Sequence, residues 1–240
     1  MAAIYLIRHG QASFGKADYD QLSDHGIKQA QILGKHWQSL AKPDKFYSGD
    51  LLRHGQSLEH FLVGYKGCDA SAIIHSGFNE FDHVDILKCY KAEWGDFAKM
   101  STSLAKLENA SKTIQKEFFH AMERWVASGD GKEYKESWSQ FKMRCISALQ
   151  NIIRQALIDK KTTSTPSKSK DILIFTSGGP ISAIIQHILQ LSDQQTLTMN
   201  QQLRNTSVTK LLFSEEMLSV DYVNNYSHLE LAGEEWLTFR

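Results

Sequence analysis

The tetrapeptide Arg-His-Gly-Gln occurs twice in this chain, at residues 8–11 and 53–56. A neutral imidazole can act as a nucleophile or a general base, and a neighbouring guanidinium can bind an anion through its forked N–H donors. The two copies are consistent with an internal repeat, with two halves of one site, or with one functional motif and one coincidence. The surroundings of each copy decide between these interpretations.

The first copy follows a β-prone run of apolar residues at 3–7. This pattern predicts a buried strand that delivers polar groups at its C-terminal end, and ligands of open α/β sheets bind at that edge. At the end of a strand the backbone can turn, so that Arg8 and His9 present their side chains to a common point. The first copy is therefore a candidate for chemistry.

The second copy is predicted to lie in a helix at residues 50–62, after a short strand and turn. Adjacent helical residues diverge by about 100°, which indicates that Arg53 and His54 do not both reach one small ligand. We therefore expect His54 to be a packing residue outside the site. The predicted core-facing stripe consists of Leu51, Gly55, Leu58 and Leu62.

The composition argues against several classes of partner. Lysine and arginine together number 27, as do aspartate and glutamate, and the basic residues are scattered, so neither nucleic acid nor a membrane surface is expected as a partner. The 3 cysteines show no C-x-x-C spacing, which favours neither disulfides nor a zinc site. Arg8 interrupts the short apolar N-terminal run, so we expect no export signal or membrane span and a cytoplasmic location.

Strand patterns alternate with helix patterns along the chain. Residues 171–189 repeat the opening order of apolar strand, small-residue turn and helix, and residues 205–213 and 217–224 suggest a final hairpin. This order predicts a three-layer α/β/α sandwich with a mostly parallel central sheet. We expect one domain over residues 1–240, with a helical insertion at about 85–137.

The predicted insertion carries aromatic residues at helical spacing, which is more typical of core packing than of substrate contacts. They are Trp94, Phe97, Phe118, Phe119 and Trp125. After the next helix, residues 160–170 are polar and contain Pro166, so a flexible surface loop is expected there.

Several segments, in order from residue 4 to about 213, together resemble the histidine phosphatase superfamily, also called phosphoglycerate-mutase-like. They are LIRHGQ, LSDHGIKQA, YSGDLLRHGQS, NEFD and ILIFTSGGPI. The resemblance implies an α/β fold and phosphoryl transfer through a phosphohistidine. It implies no metal and no cofactor, and a small phosphorylated substrate as the partner.

The resemblance implies roles for three residues of the two repeated tetrapeptides. His9 would be the phospho-acceptor, because a neutral imidazole attacks an anionic phosphate without carrying negative charge. Arg8 and Arg53 would bind the phosphoryl oxygens and stabilise their charge in the transition state.

Glu80 is the position that resembles the proton donor of the family. A carboxyl group that protonates a leaving oxygen near neutrality needs a raised pKa, through desolvation or a neighbouring negative charge. Asp82 and Asp85 remain rivals for this role.

The chain departs from the family pattern at Ser177, where most members have a second histidine. The Ser177 hydroxyl and the N–H groups of Gly178 and Gly179 are candidates to bind an anion, with an ordinary helix N-cap as the alternative. His83 is a candidate for a replacement imidazole.

The first loop also lacks the threonine and asparagine that often follow R-H-G in the family. Gln11 is expected to contribute a substitute hydrogen bond to phosphate, as is Ser13. The tryptophan- and asparagine-rich stretch of the sugar-phosphate mutases is missing at this point as well.

These features favour a metal-independent phosphatase over a phosphoglycerate mutase-type phosphotransferase. A catalytically weakened module that binds phosphate or phosphoproteins is the competing class. A phosphohistidine-protein phosphatase is less favoured, because the helical insertion is expected to cover the site. The sequence identifies neither the substrate nor the oligomeric state.

Overall fold

A computed structural model describes residues 2–13, 20–40, 42–66, 70–95, 110–162 and 171–239. In this part of the chain, six strands form one sheet in the order β3-β2-β4-β1-β5-β6. The first four are mutually parallel and the last two are antiparallel, which confirms the predicted mostly parallel sheet and final hairpin. The strands are β1 (Ala2–Arg8), β2 (Lys45–Ser48), β3 (Ile73–Ile74), β4 (Asp171–Thr176), β5 (Val208–Phe213) and β6 (Leu218–Asn225).

Helices flank the sheet on both faces. Ser23 caps the first helix by accepting a hydrogen bond from the backbone N–H of Gly26, as its position before the apolar stripe predicts. The helices of the described residues are α1 (Asp24–Trp37), α2 (Leu52–Tyr65), α3 (His83–Tyr90), α4 (Ala110–Ala127), α5 (Trp138–Thr162), α6 (Gly178–Leu189), α7 (Asp193–Gln202) and α8 (Ser227–Glu230).

The central strand β4 is buried on both faces and divides the core in two. Leu173 and Phe175 belong to a cluster with residues of α1 and α2, whereas Ile172 and Ile174 belong to a larger cluster with α4, α5 and α6. Successive side chains of a strand point to opposite faces, so the two clusters lie on opposite sides of the sheet. The predicted three-layer α/β/α sandwich is confirmed.

The aromatic residues of the predicted insertion pack into the larger cluster. Trp94 and Trp125 are buried, and Phe118 and Phe119 are partly buried against them. The ring of Trp125 lies 5.2 Å from that of Phe81, so the insertion is packed directly beside the Glu80 segment. The interpretation of these aromatics as core is confirmed for four of them, while Phe97 and the predicted loop around Pro166 lie outside the described residues.

No helix in the described part of the chain is long and apolar enough to cross a membrane. Cys89 and Cys145 are free thiols, while Cys68 lies outside the described residues.

The predicted stripe of α2 is confirmed only in part. Leu58 is buried and Leu62 packs against the smaller cluster, as expected. Gly55 is exposed, however, and the buried face also carries Arg53, His54, Ser57 and Phe61. The prediction assumed that only the apolar residues of the helix face the interior. The first turn of α2 points into a polar site at the edge of the sheet, so its polar side chains are buried there.

Candidate active site

The register of the sheet places His9 and Ser177 side by side. Strands β1 and β4 are parallel, with Arg8 paired to Thr176, and the backbone N–H of His9 donates to the carbonyl of Thr176 over 2.8 Å. His9 and Ser177 are the next residues of the two strands, at the edge where parallel sheets bind ligands. Helix α2 follows the neighbouring strand β2 and brings Arg53 to this edge.

His9 is held as a neutral imidazole with a defined tautomer. Its side chain is buried, and Nδ1 lies 2.7 Å from the carbonyl oxygen of Gly10. A carbonyl can only accept, so Nδ1 carries the proton and Nε2 carries a lone pair. Burial, and then the charges of Arg53 and Arg8, hold the pKa of His9 well below its usual value. The ring is therefore prepared for nucleophilic attack through Nε2.

The loop after His9 is fixed by hydrogen bonds from three directions. The N–H of Gly10 donates to Ser57 Oγ over 3.0 Å, and Asn205 Nδ2 donates to the carbonyl of His9 over 3.2 Å. The N–H of Gln11 donates to Gln29 Oε1 over 2.9 Å. Sequence reasoning missed these supporting residues, because each is distant from His9 along the chain and nothing in its local pattern marks it.

Gln11 lies in this loop, and its side-chain oxygen accepts a hydrogen bond from Ser23 Oγ over 2.9 Å. A phosphate bound by Gln11 would therefore accept a hydrogen bond from the NH2 group of the side-chain amide. The hydroxyl of Ser13, the other residue expected to substitute here, donates to the carbonyl of Leu22 over 3.0 Å. In this structure the Ser13 hydroxyl is thus bonded to the backbone just before α1.

The two arginines reach the site from different elements and each has a protein anchor. Arg8 Nη1 donates to the carbonyl of Leu203. Arg53 is buried, and its Nη1 forms an ion pair with Asp20 Oδ1 over 2.5 Å. Asp20 also accepts from the N–H of Leu52, so it fixes both the guanidinium and the start of α2. No sequence signal identified Asp20.

Glu80 has the environment that a general acid requires. Burial raises the pKa of Glu80, although the charge of Arg53 and the hydrogen bond from Gly179 act against this. That bond joins the N–H of Gly179 to Glu80 Oε2 over 3.2 Å. A Cβ at Gly179 would come within 2.0 Å of Glu80 Oε1, so the carboxylate occupies space that exists because residue 179 is a glycine.

The two rival acids are occupied elsewhere. Asp82 caps α3 by accepting from the N–H of Asp85 and pairs with Lys135 Nζ over 2.8 Å. Burial of Asp82 is outweighed by this lysine, which keeps its pKa below the usual value. Asp85 accepts from the N–H of Lys135 over 2.8 Å. The geometry therefore favours Glu80.

Arg144 on α5 holds the segment that leads into Glu80, and sequence reasoning missed it. Its Nη1 donates to the carbonyls of Ser76, Gly77 and Asn79 over 3.1 to 3.2 Å. Its Nε and Nη2 pair with both oxygens of Glu136 over 2.7 and 2.9 Å. Its local pattern carried no signal, because several of its neighbours at helical spacing, among them Gln140 and Ser147, are polar as well.

The prediction that His54 lies outside the site is wrong. Its side chain is fully buried, its ring centroid lies 5.8 Å from that of His9, and Nε2 lies 2.7 Å from Ser177 Oγ. The 100° divergence of adjacent helical residues describes their Cα–Cβ directions, not the ends of long side chains. At the first turn of a helix aimed at the site, the side chains of Arg53 and His54 both extend into it.

Ser177 and Gly178 lie where α6 begins. Ser177 is the N-cap residue by backbone position, but its side chain forms no capping hydrogen bond, unlike a typical serine cap. Its hydroxyl bonds to His54 instead. A Cβ at Gly178 would lie 2.6 Å from Asn200 Oδ1 and 3.7 Å from Arg8 Nε, so the backbone at this glycine passes close to Arg8.

His83 is the first residue of α3. Burial and then the charge of Arg53 lower its pKa. Among the described residues, no group of three or more His, Cys, Asp or Glu side chains is arranged to hold a metal ion.

Comparisons with solved structures identify the same fold in proteins of low sequence identity. A phosphoglycerate mutase from Bacillus anthracis str. Sterne has a TM-score of 0.63 and 18% identity, with 95% of each chain covered. A phosphoserine phosphatase from Entamoeba histolytica in complex with phosphoserine has the same score and identity, with 95% of this chain and 100% of that chain covered. A mycobacterial glucosyl-3-phosphoglycerate phosphatase has a TM-score of 0.60 and 17% identity, with 93% and 98% covered.

The search of curated proteins returned no significant match. The profile of the histidine phosphatase superfamily (branch 1) matches residues 4–101 and 96–226. These ranges include the buried histidine at the end of β1, both arginines, Glu80 and the turn from β4 into α6. On this match, which spans most of the sequence, the chain belongs to the histidine phosphatase superfamily.

Proposed function

We propose that this protein is a phosphatase that hydrolyses a small phosphate monoester through a phosphohistidine at His9, without a metal or cofactor. Arg8 and Arg53 bind the phosphoryl oxygens, and Gln11, Ser177 and Gly178 contribute further contacts. The observation that carries the proposal is the hydrogen bond from His9 Nδ1 to Gly10, which leaves Nε2 as a buried lone pair beside two guanidinium groups.

In the first step, the Nε2 lone pair of His9 forms a bond to phosphorus while the bond from phosphorus to the leaving oxygen breaks. The electron pair of that bond stays with the oxygen, which takes the proton of the Glu80 carboxyl group. Arg8 and Arg53 stabilise the negative charge on the equatorial oxygens. The products are the free alcohol, phosphohistidine and ionised Glu80.

In the second step, water attacks the phosphohistidine and the bond between nitrogen and phosphorus breaks. Glu80, now a carboxylate, takes a proton from the water, and the N–P electron pair returns to Nε2. Inorganic phosphate leaves, with His9 neutral and Glu80 protonated again. One carboxyl group thus serves as acid and then as base, which requires a pKa close to the working pH.

A small substrate is supported by the fold neighbours, two of which are phosphatases named for phosphoserine and glucosyl-3-phosphoglycerate. A mutase neighbour has the same fold, so the fold alone does not separate hydrolysis from transfer to a second hydroxyl. Transfer would return the phosphoryl group to an alcohol, whereas hydrolysis releases inorganic phosphate. The released product therefore separates these two functions.

The test is a phosphate-release panel of small phosphate monoesters on wild type, His9→Ala and His187→Ala. His187 is an exposed residue near the C-terminal end of α6 and is the matched histidine control. We expect phosphate release by wild type and His187→Ala and its loss in His9→Ala. Turnover stopped with alkali, which preserves phosphohistidine, should show the added phosphate on His9 by mass spectrometry.

Undiminished turnover in His9→Ala would overturn the mechanism. Binding of inorganic phosphate or vanadate by calorimetry, without hydrolysis of any ester, would instead favour the phosphate-binding module. Transfer of label between two alcohols without phosphate release would favour the mutase.

A further inference from the structure

His54 is buried in the site, beside the proposed nucleophile, but the mechanism above does not use it. Its ring centroid lies 5.8 Å from that of His9. The side chain is fully buried, so water does not satisfy the hydrogen-bonding groups of the ring. Histidine buried among packed groups needs a hydrogen-bond partner or remains a costly polar group.

The ring of His54 has two unlike edges. Nε2 lies 2.7 Å from Ser177 Oγ. Nδ1 has no hydrogen-bond partner among the described residues and is buried against Gly49, where an added Cβ would come within 2.3 Å of it. Gly49 therefore leaves room for the ring but offers Nδ1 no acceptor.

This asymmetry fixes the tautomer. A cationic ring would bury an unpaired N–H at Nδ1, and burial together with the charge of Arg53 opposes that cation. A buried N–H without an acceptor is rarer than a buried lone pair without a donor. The proton of neutral His54 is therefore on Nε2, and Nε2–H donates to Ser177 Oγ.

The direction of this bond determines what the Ser177 hydroxyl does. An oxygen that accepts from Nε2–H keeps its own O–H to donate to another group. Among the described residues, no second partner bonds to this hydroxyl, and the Ser177 side chain does not cap its helix. His9 and Ser177 directly follow Arg8 and Thr176, the last residues paired between β1 and β4. The ring of His54, which bonds to Ser177, has its centroid 5.8 Å from that of His9, so an acceptor bound at His9 lies close to Ser177.

We propose that His54 is a positioning residue, which donates to Ser177 and thereby turns the Ser177 hydroxyl proton toward the phosphoryl group bound beside His9. The inference rests on the proposed function and deepens it. It assigns the second copy of the repeated tetrapeptide two roles in one site: Arg53 binds charge directly, and His54 acts through a serine on another strand.

The test compares His54→Phe, which keeps a ring but removes the donor, with His54→Gln, whose amide nitrogen can replace Nε2–H. Ser177→Ala and the double variant His54→Phe/Ser177→Ala complete a double-mutant cycle. The readouts are kcat/KM for a phosphate monoester and the affinity for inorganic phosphate by calorimetry. Circular dichroism verifies that each variant is folded.

We expect His54→Phe and Ser177→Ala each to lower kcat/KM by about 10- to 100-fold, as for loss of a hydrogen bond to a charged group. The double variant should lose no more than the worse single variant, because both remove the same oriented donor. His54→Gln should stay within about threefold of wild type, since it keeps that donor. Affinity for inorganic phosphate should fall in the same order.

Three results would each overturn the proposal. One is wild-type kinetics in folded His54→Phe, and another is losses of kcat/KM that multiply in the double variant. The third is an equal loss of kcat/KM in His54→Gln and His54→Phe. Nitrogen-15 NMR of the wild-type protein tests the tautomer without any variant, and a proton on Nδ1 of His54 would also overturn it. If the wild type forms no phosphohistidine, the proposed function fails, yet the phosphate-affinity cycle still decides whether His54 and Ser177 act together. If phosphohistidine forms and the cycle shows no effect, only this inference fails.

Discussion

The carbonyl oxygen of Gly10 lies 2.7 Å from Nδ1 of the preceding residue, His9. This contact fixes the tautomer locally, because the acceptor is part of the same turn as the ring. Burial and the charges of Arg53 and Arg8 oppose the cation, so the pKa of His9 lies well below 6.5.

The first prediction is that His9 is neutral, with its proton on Nδ1, down to a pH well below about 6.5. Long-range nitrogen-proton NMR spectra of the wild type, assigned with His9→Ala, test this directly. In kinetic terms, kcat/KM should show no acidic limb near about pH 6.5 from the nucleophile. A His9 ring that titrates at the value of an ordinary peptide histidine would contradict the interpretation.

The second prediction concerns the raised pKa of Glu80. The first step needs its protonated form, so kcat/KM for an alkyl phosphate should fall as pH rises through that raised pKa. Glu80→Gln should abolish this limb and lower kcat/KM by about 10²- to 10⁴-fold. A nitrophenyl phosphate needs little proton transfer to its leaving group, so its burst rate of nitrophenol release should be nearly unchanged. Equal losses for both esters would exclude Glu80 as the acid.

The third prediction uses the contact between Glu80 and Gly179. Gly179→Ala would place a Cβ within 2.0 Å of Glu80 Oε1, so the carboxylate must move. We expect a loss of about 10²-fold or more in kcat for alkyl phosphates, as for removal of the general acid. The control is Gly55→Ala on α2, where an added Cβ meets nothing within 4 Å. Gly55→Ala should retain kcat and stabilise the protein by about 0.5–1 kcal/mol. Similar kcat values for Gly179→Ala and Gly55→Ala would contradict the close contact between Gly179 and Glu80.

The sequence was sufficient to predict what depends on local pattern. Apolar runs predicted β1 and β4, and their polar ends placed Arg8 and His9 at one edge of the sheet. Ser23 as the cap of α1 followed from its position before a helical stripe. In each case the chemistry and the element that positions it are adjacent in sequence.

The sequence was not sufficient where partners are distant along the chain. The contact between His54 and Ser177 spans 123 residues, and that between Asn205 and His9 spans 196. A helical wheel shows one helix alone, so it assigned His54 to a packing boundary although the site covers that face. Asp20 and Arg144 were missed for the same reason, since their roles arise only when loops meet in the fold.

The fourth prediction is that Arg144 positions Glu80 indirectly. Arg144→Met keeps the length of the side chain but leaves three carbonyls and the Glu136 carboxylate without their donor. We expect about 1–3 kcal/mol lower free energy of unfolding, and a larger loss of kcat/KM for an alkyl phosphate than of the burst rate of nitrophenol release from a nitrophenyl phosphate. Arg154→Met, at an exposed site on the same helix, is the matched control. A variant as unstable as predicted but with equal losses for both esters would show that Arg144 supports the fold without positioning Glu80.

The fifth prediction is a stability effect away from the site, at His228. Burial and then the charge of His36 lower the pKa of His228 to about 3, and its Nε2 lies 3.0 Å from Thr206 Oγ1. The unfolded chain takes up this proton near about pH 6.5 while the folded protein does not, so stability falls as pH drops from there toward the folded pKa. One such group contributes a slope of about 1.4 kcal/mol per pH unit. His228→Gln preserves a hydrogen-bonding side chain without the charge, so the pH dependence of urea unfolding should be weaker, by a difference that grows from little at about pH 7.5 to about one proton at about pH 5. An unchanged slope in this variant would mean that His228 is protonated in the folded protein, contrary to its burial.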